Sequence, residues 1–380
     1  GQPFKAQQLP VGFVNPETKL VVGAGALIDP TILDREVKEL SALTGADIRD
    51  RLVIDYRAGL HVAAHQARSK ASGRHHAIGA TGKGSSEALI DRIRNRGADH
   101  AMLFGDSPYS KDYDVCDTER LLNMAWDDGA KIQLEGTQGQ GLDLYLGPYP
   151  YTTHKQTGPA QWMLEAGLSP NLPTEIVMVV RTYPIRVAGN SGPLPMEISW
   201  PGLARALNVK RQIAGLPSLV KEDSIQQFED AVRHVQQRYP YPAHSNCLDQ
   251  HMWSIEERKQ FQVSLSEVNA DALKSLPAEV VEDLTRLFEL TTVTKKLRRI
   301  AKLDLTELAV TARQIRPSWV ALTFMNYRSP NYWYEAPAAL TSEMHQYISL
   351  VEHHCKAPVR LVSFGPEDKH IFQVLQGAAA

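Results

Sequence analysis

A basic excess is what this sequence most plainly lacks: 41 Lys and Arg stand against 43 Asp and Glu, for a formal net charge of −2. A surface that coats a polyanion needs surplus cations to displace counterions, so no nucleic-acid partner is expected. Cysteine is scarce too. Cys116, Cys247 and Cys355 are odd in number and far apart, which suits a reducing compartment and gives no disulfide framework. No apolar run approaches ~18 residues, so no membrane partner is expected. The opening GQPFKAQQLPVGF lacks the basic-then-apolar order of a signal peptide, and a soluble cytoplasmic protein is the expectation. Internal repeats and low-complexity tracts are absent, as are GxSxG and paired CxxC motifs, leaving hydrolase triads and zinc modules without support.

What is present reads as a globular α/β chain of 380 residues, long enough for one large domain or two ordinary ones. KLVV (19–22), RLVIDY (51–56), KIQLEG (131–136), EIVMVVRTY (175–183), WVALTFMN (319–326) and VRLVSFGP (359–366) are short apolar runs that predict strands. Between several of them lie helical patterns. IDPTILDREVKELSALTG carries Asp29 as a cap, Pro30 at the first helical position, Leu33, Val37 and Leu40 on one face, and Gly45 as a stop. LDLTELAVTARQI and TSEMHQYISLVEHHC are similar. The expected fold is a mostly parallel central sheet with helices on both faces, with chemistry at the carboxyl ends of the strands. Residues 203–286 differ, with Ile225, Phe228, Val232 and Val235 forming a helical stripe, and read as an inserted helical subdomain. The expected divisions are a core over 1–202, the helical insertion over 203–286, and the rest of the core over 287–380.

Several segments suggest ligand contact. GATGKGSSEALI (79–90) is not a Walker A motif, because Ala77 and Gly84 stand where that motif needs Gly and Ser or Thr. A glycine turn feeding a helix still leaves N–H groups free to meet an anion, and Thr81 adds a hydroxyl; an ordinary loop is the competing reading. TTVTKKLRR (291–299) crowds four cations into five residues behind threonines that disfavour helix, which favours an anion-binding loop over a solvated helix face. RVAGNSGPLPME (186–197) is a glycine and proline loop after an apolar strand. His353, His354 and Cys355, and His244, Cys247 and His251, look metal-like but lack paired zinc spacing, and no protein-bound metal is expected from them. LEGTQGQGLDLYLGPYPYTTH (134–154) places four glycines close behind Glu135.

Taken in chain order, AIGATGKG (77–84), LEGTQG (134–139), YPYTTH (149–154), TVTKKLRR (292–299), LTFMN (322–326) and VSFGP (362–366) resemble motifs of the adenylosuccinate synthetase family. Their family counterparts are AIGTTGRG, EGAQG, YPYVTS, TTGRRRR, TKLD and STGP. IRVAGNSGPLPMEI (185–198) is similar to the family's TRVGxGPFPTEL loop. The resemblance spans about residues 8–200 and 287–370. It implies a P-loop-NTPase-like synthetase fold, a homodimer, and a two-step ligation. A nucleoside triphosphate with Mg²⁺ phosphorylates O6 of IMP, and the amine of L-aspartate displaces that phosphate. By the resemblance, Thr81 and Thr153 hold the nucleotide 5′-phosphate, and Arg94 or Arg96 reaches the nucleotide of the partner subunit. Gln138 faces the purine, which an amide can both donate to and accept from. Thr294, Lys296 and Arg298 grip the aspartate carboxylates, with Lys296 replacing a family arginine and losing its fork. Asn326, Ser363 and Gly365 match the triphosphate-base site.

Two departures from the family pattern carry weight. Its TKLD aspartate selects guanine, whereas Phe324 and Asn326 stand at the matching positions, so ATP or relaxed base choice is expected in place of GTP. The family's GDEGKGK phosphate loop and NAGHT histidine, which carry the acid–base pair, have no counterpart in residues 1–20. A truncated chain or incomplete gene model is therefore expected, without synthetase activity by itself. Two further readings stay open: a synthetase making 2-aminoadenylosuccinate from dGMP, which TTVTKK and the FMNY-like strand also resemble, and a noncatalytic nucleotide-binding relative.

Overall fold

The computed structural model describes residues 4–73, 78–94, 103–238, 255–291 and 295–374, with side chains from 265 onward in the helix that begins at Ile255. The chain divides into two compact units, one of residues 1–75 and 81–173, the other of residues 76–80 and 174–380.

In the first unit β1 (Leu20–Val22), β3 (Leu52–Asp55) and β5 (Asp114–Cys116) form a parallel sheet in the order β1-β3-β5. A second parallel pair joins β2 (Leu27–Ile28) to β4 (Gly59–Leu60). Helix α1 (Pro30–Thr44) forms as its sequence predicts. Asp29 accepts the Thr31 and Ile32 N–H groups, Pro30 occupies the first turn, and Gly45 ends the helix at φ 73°. Its buried face, Leu33, Val37 and Leu40, packs on Leu20, Leu52 and Ile54 of the sheet. Each such buried side chain contributes about 1.5–3 kcal/mol. Glu36, on the same helix and fully buried, accepts the N–H groups of Gln7, Gln8 and Leu9 and so ties the first described segment to the core. Helices α2 (Ala63–Ala71), α3 (Ser85–Arg94), α4 (Thr118–Asp127) and α5 (Pro159–Ala166) complete the unit.

The expected strand at 131–136 does not form. Residues 131–136 lie outside every sheet, and Ile132 and Leu134 pack instead beside Leu122, Met163 and Leu168, from α4, α5 and the turn that follows. The place beside β3 is taken by β5, whose short Asp-Val-Cys run gives little apolar signal.

In the second unit β6 (Val177–Arg181), β10 (Trp319–Thr323) and β11 (Val359–Ser363) are parallel, and β12 (Ile371–Gln373) adds an antiparallel edge. Alternate residues Met178, Val180, Val320, Leu322, Val359 and Val362 share a core with α10 (Leu305–Ile315) and α11 (Ser342–Cys355). A small antiparallel sheet holds β7 (Ile185–Arg186), β8 (Glu197–Ile198) and β9 (Arg299–Ala301) in the order β7-β9-β8. Between them run α6 (Trp200–Ile213), α7 (Glu222–Gln236), α8 (Ile255–Ser275) and α9 (Ala278–Leu284). Ile225, Phe228 and Val235 of the predicted stripe are buried against Trp200, Leu284 and Phe288. The architecture is the parallel α/β fold expected from alternating strands and helices. No helix among the described residues is long and apolar enough to cross a membrane.

Candidate functional site

Thr81, Arg94, Gln138 and Thr153 lie in the first unit; Lys296, Arg298, Asn326, Ser363 and Gly365 lie in the second. Thr294 and Arg96 fall outside the described residues, as do Ala77, His244, Cys247 and His251.

In the first unit the glycine loop 81–84 turns into α3. Thr81 is exposed, while Gly82 and Gly84 are buried in left-handed conformation, at φ 68° and 90°. A Cβ on Gly84 would sit 2.5 Å from the His65 carbonyl carbon, so only glycine lets the two backbones lie this close. Arg94 is exposed at the end of α3.

Gln138 is exposed and holds φ 79°, a left-handed backbone that non-glycine residues adopt at some cost. Two residues earlier, Gly136 lies against Trp162, whose ring would meet a Cβ at 1.8 Å. The segment is tied to the chain's beginning through Glu135, which accepts the Val11 N–H at 3.0 Å. Downstream, buried Asp143 organises the turn carrying Thr153. Its Oδ1 accepts from the Tyr145 and Leu146 N–H groups and its Oδ2 from the Thr157 N–H. Burial alone would raise the Asp143 carboxyl, but these three donors outweigh it and hold it below its ordinary value. The Thr153 N–H donates to the Leu142 carbonyl at 2.7 Å, and Tyr149–Pro150 is a cis peptide. Burial, with Lys155 nearby, lowers the neighbouring His154.

In the second unit, Thr291, Lys295 and Lys296 lie between two bridged leucines, and residues 292–294 fall outside the described residues. Leu290 bridges Leu297, and the Thr291 N–H donates to the Lys296 carbonyl at 2.8 Å. The cations of this segment divide into two kinds. Arg299 forks onto Glu197 at 2.8 and 2.6 Å and donates to the Gly192 carbonyl and Ser191 Oγ, anchoring the 186–197 loop. Arg298 lies 3.5 Å from Glu289, which also accepts from Arg181 at 2.5 Å and the Tyr327 hydroxyl at 2.8 Å. Two guanidiniums share one carboxylate, leaving a surplus positive charge beside a loop on which Lys295 and Lys296 stand exposed. The 186–197 loop receives another close neighbour in Gly79, where a Cβ would meet Ser191 at 2.9 Å. Burial, together with the charge of Arg299, lowers Arg186 to about 10.

The carboxyl ends of β6, β10 and β11 converge on a polar and aromatic cluster. Phe324 takes φ 61° just past β10, held by the Thr182 hydroxyl donating to its carbonyl at 2.5 Å and by Arg181 lying 3.5 Å over its ring. This turns Asn326 inward, where it is 2% exposed and its Oδ1 has no hydrogen-bond partner among the described residues. The turn Met325–Tyr327 packs on β11, at whose last residue Ser363 Oγ donates to the Gly365 carbonyl at 2.7 Å. A Cβ on Gly365 would meet the His370 ring at 2.6 Å and the Tyr334 ring at 2.8 Å, and those two rings stack.

Motif reading missed Asp143, Glu289, His61 and the Tyr334–His370 pair, of which the last three act through contacts distant in sequence. Only Asp143 has a local signal, in the turn it makes with Tyr145 and Leu146. The metal-like His353-His354-Cys355 run faces its own surroundings. Cys355 is buried, its thiol pushed up to about 11, and His354 Nδ1 meets the Leu350 carbonyl at 2.8 Å. Among the described residues no three His, Cys, Asp or Glu side chains cluster as a metal site. Magnesium commonly takes one or two carboxylates and otherwise substrate phosphates and water, and so does not require such a cluster.

The sequence is 34% identical over 200 residues to an adenylosuccinate synthetase of Thermococcus onnurineus, covering 52% of this chain and 56% of that protein. It is 37% identical over 201 residues to one from Methanococcus vannielii, with the same coverage. The chain spans about half the length of the curated relatives it matches. Its fold resembles the succinoaminodeoxyadenylate synthetase of cyanophage S-2L, solved with dGMP and dATP, at a TM-score of 0.61 and 24% identity, covering 97% of this chain and 80% of that one. The fully ligated adenylosuccinate synthetase of Plasmodium falciparum matches at the same TM-score and 14% identity, over 97% and 87%. The motif loops stand in family order on this parallel scaffold, and the adenylosuccinate synthetase profile matches residues 1–114 and 109–328. The chain belongs to the adenylosuccinate synthetase family.

Proposed function

We propose that this chain carries the nucleotide- and aspartate-binding residues of a purine-nucleotide ligase. Its reaction joins the amine of L-aspartate to the 6-position of IMP at the expense of a nucleoside triphosphate. In this reading Thr81 and the 81–84 N–H groups, with Thr153, take the 5′-phosphate. Gln138, set by its left-handed backbone beside Gly136, pairs its amide with the purine edge. Lys296 and the surplus charge of the Arg181–Glu289–Arg298 group draw the aspartate carboxylates, Lys296 as an exposed point charge and Arg298 as a partly neutralised fork. Magnesium would come with the triphosphate and shield its charge. These residues bind, orient and neutralise; none of them is assigned a proton-transfer step.

The observation that carries the base assignment is Asn326. A buried acceptor without a partner costs about 1–3 kcal/mol, so a ligand N–H that reaches it is favoured by a comparable amount. Adenine offers a donor and an acceptor side by side, matching an amide; guanine offers two donors, matching a carboxylate. ATP is therefore the proposed phosphate donor. Calorimetric titration of the chain with IMP, dGMP, ATP and GTP tests both halves. The reading expects IMP to bind more tightly than dGMP and ATP more tightly than GTP. Preferential dGMP binding would favour the 2-amino reaction, and stronger GTP than ATP binding would remove the Asn326 argument.

A further inference from the structure

Two buried histidines lie directly beneath the 81–84 glycine loop, and nothing in the ligation reading uses them. His61, 6% exposed, places Nε2 2.5 Å from the Lys83 carbonyl. A carbonyl only accepts, so Nε2 carries a proton and donates it to the loop backbone. Across the ring, Nδ1 faces Asp29 Oδ2 at 3.6 Å. Asp29 is itself immobilised, capping α1 through Oδ1 and accepting from the Gln66 side chain at Oδ2. His65, also 6% exposed, stacks on His61 with ring centroids 5.9 Å apart. Its Nδ1 accepts the Val62 N–H at 3.0 Å, so its Nε2 is the protonated nitrogen and donates to Asp91 Oδ2 at 3.0 Å. Asp91 sits on α3, the helix into which the loop runs, and Arg68 donates to the same oxygen.

The loop is thus held at Lys83 and, through Asp91, at the helix that follows it. We propose that His61 and His65 are positioning residues: a stacked pair that fixes the Lys83 carbonyl on one side and α3 on the other. Because a trans peptide directs its N–H opposite its carbonyl, a Lys83 carbonyl turned down onto His61 keeps the Gly84 N–H directed away from His61 and open to an anion. The arrangement depends on the close approach of Gly84 to the His65 backbone, which leaves the loop no room to slide. The inference rests on the reading of 81–84 as a 5′-phosphate loop, but the clamp itself is observable without nucleotide.

Lys83 is exposed, so trypsin cleavage after it in the folded full chain reports how often the loop opens. Gln at position 61 carries an amide donor with a reach close to that of Nε2; Asn carries the same donor too short; Leu carries none. His61→Gln is expected to keep cleavage after Lys83 near the wild-type rate. His61→Asn and His61→Leu are expected to raise it about five- to tenfold, the loss of one buried hydrogen bond, with cleavage after Lys302 unchanged as a control. Should His61→Leu fail to fold, the Asn and Gln pair, both polar, still carries the comparison. Equal cleavage in all four proteins would overturn the clamp. IMP affinity, measured in parallel, separates the two ideas. Weakening in step with loop opening supports clamp and phosphate reading together. Loop opening without change in IMP affinity confirms the clamp and removes the phosphate reading.

Discussion

The Asp143 carboxylate accepts the Thr157 N–H at 2.7 Å and so closes the turn on which Thr153 is presented. One buried side chain supports three backbone donors across this segment, and an amide cannot replace it, because its NH₂ would oppose one of them.

Asp143→Asn is accordingly expected to destabilise the fold by about 1–3 kcal/mol, a drop of several degrees in the melting temperature, and to weaken IMP binding. The pH dependence follows from the direction of the shift. The folded carboxyl lies below its ordinary value of 3.8, so its contribution is fully present above the unfolded value and is lost as pH falls from there through the folded one. Melting scans of wild type and Asp143→Asn should therefore stand apart at pH values above 3.8 and converge as pH falls from there through the folded carboxyl's lowered value.

Charge at the 291–298 loop gives a second test. Lys296 is exposed and Arg298 is shared with Glu289, so Lys296→Ala should weaken L-aspartate binding while leaving thermal stability within about 0.5 kcal/mol of wild type. Arg298→Ala should lower both, because it also removes a partner of Glu289. The paired measurement is aspartate affinity and melting temperature for each variant. A loss of stability in Lys296→Ala with unchanged affinity would reverse the assignment.

Base choice should respond to a single atom. Asn326→Asp replaces an amide with two acceptors, and the ATP-to-GTP affinity ratio is expected to fall about tenfold or more. The variant is also expected to be less stable than wild type, since a carboxylate at a site 2% exposed has lost water without gaining a cation. Competition of ATP and GTP for one fluorescent nucleotide reads the ratio directly.

Periodicity and capping signals made much of the scaffold legible. Asp29, Pro30 and Gly45 bound α1 in the structure as in the sequence, and the apolar runs near 20, 52, 177, 319 and 359 are all parallel strands. Residues 131–136 read equally well as a strand, because two apolar residues at alternate positions look the same whether they meet a sheet or the flanks of helices. The loops proposed to contact ligand were singled out by their motif order. The groups that hold those loops were not. Arg181 meets Glu289 across 108 residues, and His61 meets Lys83 across 22. Local pattern reports burial and turn propensity, whereas these contacts depend on which chain segments the fold brings together. The left-handed backbones of Gln138 and Phe324 were equally silent, since both residue types are ordinary in loops and strand ends.

The central claim is that this chain binds a purine nucleotide through its 5′-phosphate, and a calorimetric comparison of IMP with inosine tests it most directly. The account predicts saturable binding of IMP and at least about tenfold weaker binding of inosine, the loss of charge-assisted contacts to the 81–84 loop and Thr153. Equal affinity for the two, or no binding of IMP, would contradict it.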